Sequence, residues 1–275
     1  MTMKIGIINS AWFGTPMDGR PGMDQTKALG FDTMDVFADP LELSDAARAD
    51  LVRNVREVGL PIPSVVCVAL GLGDFNNAPR AYHIERAKKH VDLARDLGAK
   101  NVLLVLGEYI WQREVIKPED QWAMTAESTR QIGDYAAQHG IELALELEPF
   151  DESLVNTIDK MDQFLRDVGL ENVKANVDCS HLWLQRIDAS EIEKLRGRIA
   201  HVHISDCNGE VHGDLPPGRG NTPLLSYIEA LRDVGYDGTV SLELEYSPEP
   251  AKIGEWVEEA YRETRKLMQR AGVHA

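Results

Sequence analysis

The stretch Gly140-Ile141-Glu142-Leu143-Ala144-Leu145-Glu146-Leu147-Glu148-Pro149 has the alternation of a β-strand. Because the side chains of a strand alternate between its two faces, the three leucines share one face, and Glu146 and Glu148 share the other. A strand flanked by helical patterns is expected in a parallel sheet, where both faces are covered and buried polar groups are costly. An edge strand with a solvated acidic face is the alternative. The segment Val240-Ser241-Leu242-Glu243-Leu244-Glu245-Tyr246 repeats the pattern.

Short apolar runs alternate with amphipathic segments along the whole chain. The predicted strands are 4–9, 33–37, 63–68, 101–106, 141–147, 173–178, 199–205 and 239–244. The predicted helices are 24–29, 44–58, 82–97, 121–139, 157–168, 190–195, 223–234 and 252–271. This alternation favours an α/β fold, a single (β/α)8 TIM barrel over residues 1–275, with a doubly wound open sheet as the alternative. In such a barrel, chemistry is expected at the C-terminal ends of the strands.

The composition argues against several classes of partner. The 275 residues carry 29 Lys and Arg against 45 Asp and Glu, a net charge of −16. This charge repels nucleic-acid backbones and anionic membranes, so we expect neither as a partner. No signal-peptide pattern and no run long enough to cross a bilayer is present. The three cysteines, Cys67, Cys179 and Cys207, form no CxxC pair, which favours reduced thiols in the cytoplasm.

Polar residues also end the sixth and seventh predicted strands. Asp178 closes the sixth, and His181 follows three residues later. In the seventh strand, His201 and His203 share one face. Taken singly, an aspartate at a strand end is most often a turn or helix cap, and an inward histidine is most often a hydrogen-bonded core residue.

Taken together, Glu146, Asp178, His203 and Glu243 end four successive strands. Three carboxylates and an imidazole in a partly dehydrated barrel mouth would be unstable unless a cation balanced them. Three oxygen donors and one nitrogen donor favour manganese, magnesium or cobalt over a structural zinc. We therefore predict that these four residues hold one divalent ion, with Mn2+ first and Mg2+ or Co2+ as alternatives.

Several aromatic residues follow the predicted strand ends. Trp12 and Trp111 are candidates to line a sugar pocket, because aromatic rings stack on the C–H faces of sugars. The alternative for each is ordinary packing of a loop against the core.

Five motifs resemble the xylose isomerase-like TIM barrels, particularly the sugar phosphate isomerase and epimerase group. They are Leu-Ala-Leu-Glu (143–146), Val-Asp-Cys-Ser-His (177–181), His-Val-His-Ile-Ser-Asp (201–206), Pro-Gly-Arg-Gly-Asn (217–221) and Tyr-Asp-Gly-Thr-Val-Ser-Leu-Glu (236–243). In ketose 3-epimerases and hydroxypyruvate isomerase-like members, four residues from strands five to eight hold one divalent ion. By position, the resemblance assigns that role to Glu146, Asp178, His203 and Glu243. It also implies that His181 and Arg219 contact the substrate.

The resemblance implies a metal-dependent isomerase or epimerase acting on a small carbohydrate. Such a reaction moves a proton next to a carbonyl through an enediolate that a metal stabilises. Glu146 and Glu243 lie on strands that face each other across the predicted mouth, and we expect them to be the acid/base pair. The continuation Leu147-Glu148-Pro149-Phe150 differs from the asparagine-arginine of ketose epimerases. Glu148 is a further candidate for substrate contact.

Three other functions remain open at this point. A metal-dependent lyase or dehydratase would use the same enediolate chemistry. The chain also resembles a DNA-repair endonuclease of the superfamily (AP endonuclease family 2) at Asp178, His181, His203 and His212. It reads His212-Gly213-Asp214 where that endonuclease has Asp-x-His, and His212 joins the substrate-contact candidates. The third is a non-catalytic barrel subunit, and the sequence leaves open whether copies of the chain associate.

Overall fold

The computed structural model describes residues 2–107, 116–245, 247 and 249–274. In these residues the strands form a closed parallel barrel in chain order, which confirms the (β/α)8 prediction over the open sheet. The strands are β1 (Lys4–Ile8), β2 (Thr33–Phe37), β3 (Ser64–Val68), β4 (Asn101–Val105), β5 (Glu142–Leu145), β6 (Val173–Asp178), β7 (Ile199–Ile204) and β8 (Thr239–Leu242). That residues 1–275 form one domain stays a prediction.

Helices follow the strands and cover the outside of the barrel. They are α1 (Arg20–Leu29), α2 (Asp45–Val58), α3 (Asn77–Leu97), α4 (Pro118–Ala137), α5 (Ile158–Val168), α6 (Cys179–Leu184), α7 (Leu224–Asp233) and α8 (Ile253–Arg270). Short 3-10 turns cover Asn9–Trp12, Ala189–Leu195 and Pro250–Lys252. In the described part of the chain, no helix has both the length and the apolar character needed to cross a membrane.

Helix starts differ most from the sequence prediction. Helix α3 begins five residues before the predicted 82, because the side chain of Asn76 accepts a hydrogen bond from the Ala78 amide and caps it. Helix α6 was not predicted, since its six residues are too short for a helical period. The predicted helix 190–195 is instead a 3-10 turn, capped by Asp188.

The barrel interior is tightly packed around Gly6 of β1. A Cβ at Gly6 would lie 2.5 Å from both Ser241 Oγ and Thr33 Oγ1, so only glycine fits there. Farther along the axis, Ile8, Val66 and Leu103 form an apolar cluster inside the barrel. A larger apolar cluster fills the space between the barrel and the surrounding helices.

Strands β5 and β8 end two residues earlier than the predicted limits 147 and 244. Glu146 and Glu243 are therefore the first residues beyond these strands. Their amides still bond to the neighbouring strands, Glu146 N to Leu104 O at 3.1 Å and Glu243 N to Ile204 O at 3.1 Å. Both carboxylates are thus held on ordered backbone at the mouth of the barrel.

Candidate active site

Four polar residues from β5–β8 converge at the C-terminal mouth. His203 Nδ1 lies 3.2 Å from Glu243 Oε2 and 3.8 Å from Glu146 Oε2. Donor atoms of Asp178, His203 and Glu243 all lie within 4.8 Å of one another, and so do those of Glu146, Asp178 and His181. The structure therefore brings together the four residues that the sequence predicts as metal ligands.

Asp178 both caps a helix and offers a free oxygen to the site. Its Oδ1 accepts hydrogen bonds from the His181 amide at 2.9 Å and from Ser180 Oγ at 2.7 Å. Its Oδ2 is buried and has no hydrogen-bond partner. The capping interpretation of this aspartate is correct for one oxygen, and the other oxygen remains available for a ligand.

Unpartnered buried atoms mark the centre of the cluster. Besides Asp178 Oδ2, they include His203 Nδ1 and Glu243 Oε2, which lie 3.2 Å apart but form no hydrogen bond of good geometry. Buried polar atoms without partners are rare and costly, so three of them facing one point indicate a missing binding partner. Oxygen and imidazole donors of this kind suit a divalent cation.

Glu146 is held by a residue that the sequence analysis did not single out. Asn176 Nδ2 lies 2.9 Å from Glu146 Oε1 and 2.8 Å from Oε2, and both side chains are buried. Asn176 precedes Asp178 by two residues on β6, so it lies on the same inward face. That parity in the run Val173–Asp178 was the available signal.

A histidine pair lies beside the carboxylates. His181 Nδ1 contacts the Leu147 carbonyl at 2.7 Å, which requires a proton on Nδ1. His181 Nε2 contacts His212 Nε2 at 2.6 Å, so one of the two nitrogens donates. Asp214 Oδ1 lies 3.5 Å from His212 Nδ1 on the other side. The two histidines thus extend the site from β6 to the loop after β7.

Neighbouring charges separate the pKa values of the two histidines. Burial favours a neutral His181, but Asp178, Glu148 and Glu146 outweigh it and raise the pKa of His181 to about 10. Burial, together with the charge of His181, lowers the pKa of His212 to about 4. Both shifts favour a proton on His181 Nε2 that is donated to His212.

The pKa values of the three carboxylates are also shifted in different directions. Burial raises the pKa of Glu146 to about 7, although His203 and His181 oppose it. Burial also raises the pKa of Glu243 well above its usual range. For Asp178, burial acts upward, but His181 and His203 outweigh it and keep the pKa below its usual range. A bound cation would stabilise the ionised form of all three.

A cavity of about 320 Å³ opens at this mouth. Its polar wall contains Glu146, Glu148, His181, His203, His212, Glu243 and Glu245. Its apolar wall contains Ile8, Phe37, Val66, Val68, Leu70, Leu103, Val105 and Phe150. The size suits a small molecule, and the mixed lining suits one with several oxygens and a C–H face.

The structure corrects two predicted substrate contacts. Trp12 is only 2% exposed, and its indole Nε1 donates to Thr26 Oγ1 at 3.1 Å, so its ring belongs to the core. Arg219 does not line the mouth, because its guanidinium pairs with Glu259 at 2.6 Å and stacks over Trp256. Trp111 lies outside the described residues.

The motif around Arg219 holds the loop after β7 instead. Asp206 Oδ2 accepts from the amides of Gly218 at 2.8 Å and Gly220 at 2.9 Å. A Cβ at Gly220 would lie 2.2 Å from the Cys207 carbonyl oxygen, so glycine is required for this close approach. The loop that carries His212 is therefore fixed by backbone contacts to one buried carboxylate.

In sequence, the chain is similar to sugar epimerases and isomerases. The chain is 27% identical over 251 residues to the L-ribulose 3-epimerase of Mesorhizobium japonicum, covering 87% of this chain and 80% of that protein. It is 27% identical over 231 residues to the inosose isomerase of Bacillus velezensis, covering 80% and 79% of the two chains. These relatives confirm the enzyme class expected from the sequence, an isomerase or epimerase.

The fold has close counterparts among solved structures. The IolI protein, solved with a bound zinc atom, superimposes with a TM-score of 0.84 at 19% identity, covering 98% of this chain and 99% of that one. The model of the xylose isomerase-like TIM barrel family matches residues 23–271. The sequence resemblance is thereby confirmed, and the chain belongs to the xylose isomerase-like TIM barrel family.

Proposed function

We propose that this protein is a divalent-metal-dependent isomerase or epimerase of a small sugar or polyol-like ketone. The observation that carries the proposal is the convergence of Glu146, Asp178, His203 and Glu243 at the barrel mouth, three of them with unpartnered buried atoms. The names of the relatives, an L-ribulose 3-epimerase and an inosose isomerase, support a carbohydrate with a carbonyl group as the substrate class.

The proposed metal ligands are those same four residues. When bound there, a divalent cation supplies positive charge that stabilises negative charge developing on substrate oxygens. Mn2+ is the first ion to test, followed by Mg2+ and Co2+, because carboxylate oxygens dominate the donor set. Zinc joins the list because it is the ion bound in the IolI protein.

The protein's own contribution is to hold and move one proton. We assign the removal and return of the proton beside the carbonyl to the carboxylates of Glu146 and Glu243. Asn176 fixes the orientation of Glu146 through its two contacts of 2.9 and 2.8 Å. Glu243 is not held by such an amide: its Oε2 accepts no hydrogen bond and lies 3.2 Å from His203 Nδ1 at the wall of the cavity, where it can meet a substrate.

Three further residues are assigned to substrate contact. Glu148, His181 and His212 line the cavity beside the two glutamates, so hydroxyl groups of a bound sugar meet them there. The apolar wall covers the opposite side of the substrate and limits the access of water.

A panel assay tests the proposal. The purified protein, stripped with a chelator and reloaded with Mn2+, is offered ketopentoses, ketohexoses and inososes in deuterated water. We expect interconversion of isomers or epimers with deuterium appearing at the carbon next to the carbonyl. Loss of water from the substrate without such exchange would indicate a lyase, and no reaction with any metal and substrate pair would contradict the proposal.

The remaining expectations concern partners and location. We propose a cytoplasmic enzyme that binds a small carbohydrate and neither nucleic acid nor a membrane, because the net charge of −16 disfavours both surfaces. Whether copies of the chain associate stays open, and size-exclusion chromatography with light scattering measures it.

A further inference from the structure

A buried aspartate in the apolar half of the barrel contacts the histidine side of the site. Asp35 lies on β2, and its side chain is 0% exposed. Its Oδ2 accepts from His201 Nε2 at 2.7 Å and lies 3.5 Å from His203 Nε2. Strands β2 and β7 are not neighbours in the barrel, so these contacts cross the interior from one wall to the other.

We propose that Asp35 is a positioning residue that fixes which nitrogen of His203 faces the bound metal ion. The inference rests on the proposed metal site. An imidazole binds a metal through a nitrogen without a proton, so the other nitrogen carries the proton and needs an acceptor when buried. Asp35 is the acceptor on the Nε2 side, and Nδ1 is then left for the carboxylate side.

The geometry of His203 agrees with this assignment. Nδ1 faces Glu243 Oε2 at 3.2 Å and Glu146 Oε2 at 3.8 Å, whereas Nε2 faces Asp35. The distance of 3.5 Å to Asp35 is long for a hydrogen bond, so a shift of a few tenths of an ångström would complete it. The ring thus has its metal-binding nitrogen on the correct side before any ion is bound.

His201 holds Asp35 in the required place. The ring planes of His201 and His203 are 84° apart with centroids 5.2 Å apart, so both present Nε2 to one carboxylate oxygen without stacking. This gives a role to the first histidine of His-Val-His, which the metal-ligand assignment leaves unused. Asp35 Oδ1 remains buried and unpartnered, so the carboxylate has acceptor capacity left.

The test compares metal binding of the apoprotein with and without Asp35. Mn2+ and Zn2+ affinities are measured by competition with a chelator for wild type, Asp35→Asn and Asp35→Ala. We expect both variants to bind about 10–100-fold more weakly, the range seen when a group behind a metal-binding histidine is removed. Thr33→Val is the matched control, because Thr33 lies on the same inward face of β2 and should leave the affinity unchanged.

A second readout separates positioning from general stability. In the Zn2+-loaded wild type labelled with 15N-histidine, we expect His203 to carry its proton on Nε2 and bind zinc through Nδ1. Asp35→Ala should lose this slowly exchanging Nε2–H signal, even in molecules that circular dichroism shows to be folded.

Two outcomes would overturn the inference: affinities of both variants within about twofold of wild type, or zinc bound through Nε2 of His203. Neither outcome would contradict the proposed isomerase activity, because the substrate panel tests that activity independently. Wild-type protein that binds neither ion would instead remove the metal site on which both proposals rest.

Discussion

Strands β1–β4 and β5–β8 fill the two halves of the barrel interior with different side chains. In the first half, Ile8, Val66 and Leu103 pack into an apolar cluster. In the second half, Glu146, Asp178 and His203 are buried, and the half-buried Glu243 lies beside them. The cavity at the mouth uses both walls. An apolar wall beside a charged one keeps water out, and charge interactions in the polar half are correspondingly stronger.

Among the described residues of β1–β4, Asp35 is a buried charged side chain. Asp35 is a charged residue in the first half, yet its contacts are to His201 and His203 of the second half. The buried charge of Asp35 is therefore balanced by two histidines of the polar half. If the two halves differ in function as they differ in composition, substitutions in each half should have different effects.

The largest effect is expected at the glutamates of the polar half. Glu146→Gln and Glu243→Gln keep the shape of the side chain but cannot exchange a proton, so we expect kcat to fall by about 10²–10⁴ in each. Steady-state kinetics at matched metal content measures this. Glu148→Gln is the control, with a milder expected loss because Glu148 lines the cavity without belonging to the metal cluster. Wild-type turnover in both of the first two variants would contradict the acid/base assignment.

The apolar half should respond in stability instead. Leu103 is 1% exposed inside the barrel, and Leu103→Ala leaves a cavity there. We expect the free energy of unfolding to fall by about 2–5 kcal/mol, measured by urea denaturation of the apoprotein. The affinity for Mn2+ should stay close to wild type. A large loss of metal affinity at unchanged stability would show that the two halves are not separable in this way.

A smaller effect is expected from the group behind Glu146. Asn176→Ala removes the amide that contacts both carboxylate oxygens, so we expect turnover or metal affinity to fall about 10–100-fold. Asn172→Ala is the control, since the Asn172 side chain donates to the carbonyls of Gly133 and Ile141 outside the site. It should lower stability while activity per folded molecule is retained. Equal activity losses in both variants would argue against a specific role for Asn176.

The polar half was readable from the sequence because its strands alternate. In Glu142–Leu147 the leucines mark the outward face, so the inward glutamate could be assigned by parity. In the run Thr33–Phe37 the single acid Asp35 stands between Thr33 and Phe37 on one face, and a lone acid of this kind is ordinary in a sequence. The role of Asp35 depends on its contact with His201, which is 166 residues away in the sequence. A local sequence pattern cannot predict such a contact.

Side chains that follow the strands were predicted less well. Trp12 comes four residues after β1, but the 3-10 turn Asn9–Trp12 directs its ring to Thr26 of α1 instead of the mouth. The direction of such a side chain depends on the turn, which strand periodicity does not determine. Arg219 was assigned by motif alone, and the motif is explained by the amides that bond to Asp206.

The smallest effect is expected at Arg219, outside both halves of the interior. Its guanidinium pairs with Glu259 at 2.6 Å and lies 4.3 Å from the Trp256 ring centroid, and both charged side chains are about one-third exposed. Partly exposed pairs of this kind contribute up to about 1 kcal/mol, so Arg219→Ala should lower stability by no more than that. Turnover should stay within about twofold of wild type, because Arg219 is not among the described residues that line the mouth. Glu259→Gln should give a similar small stability loss, and the double variant should lose less than the sum of the two, as expected for partners in one pair. A large loss of turnover in Arg219→Ala but not in Glu259→Gln would contradict this expectation. It would mean that the arginine leaves Glu259 to contact the substrate. The polar half of the mouth would then include the loop after β7.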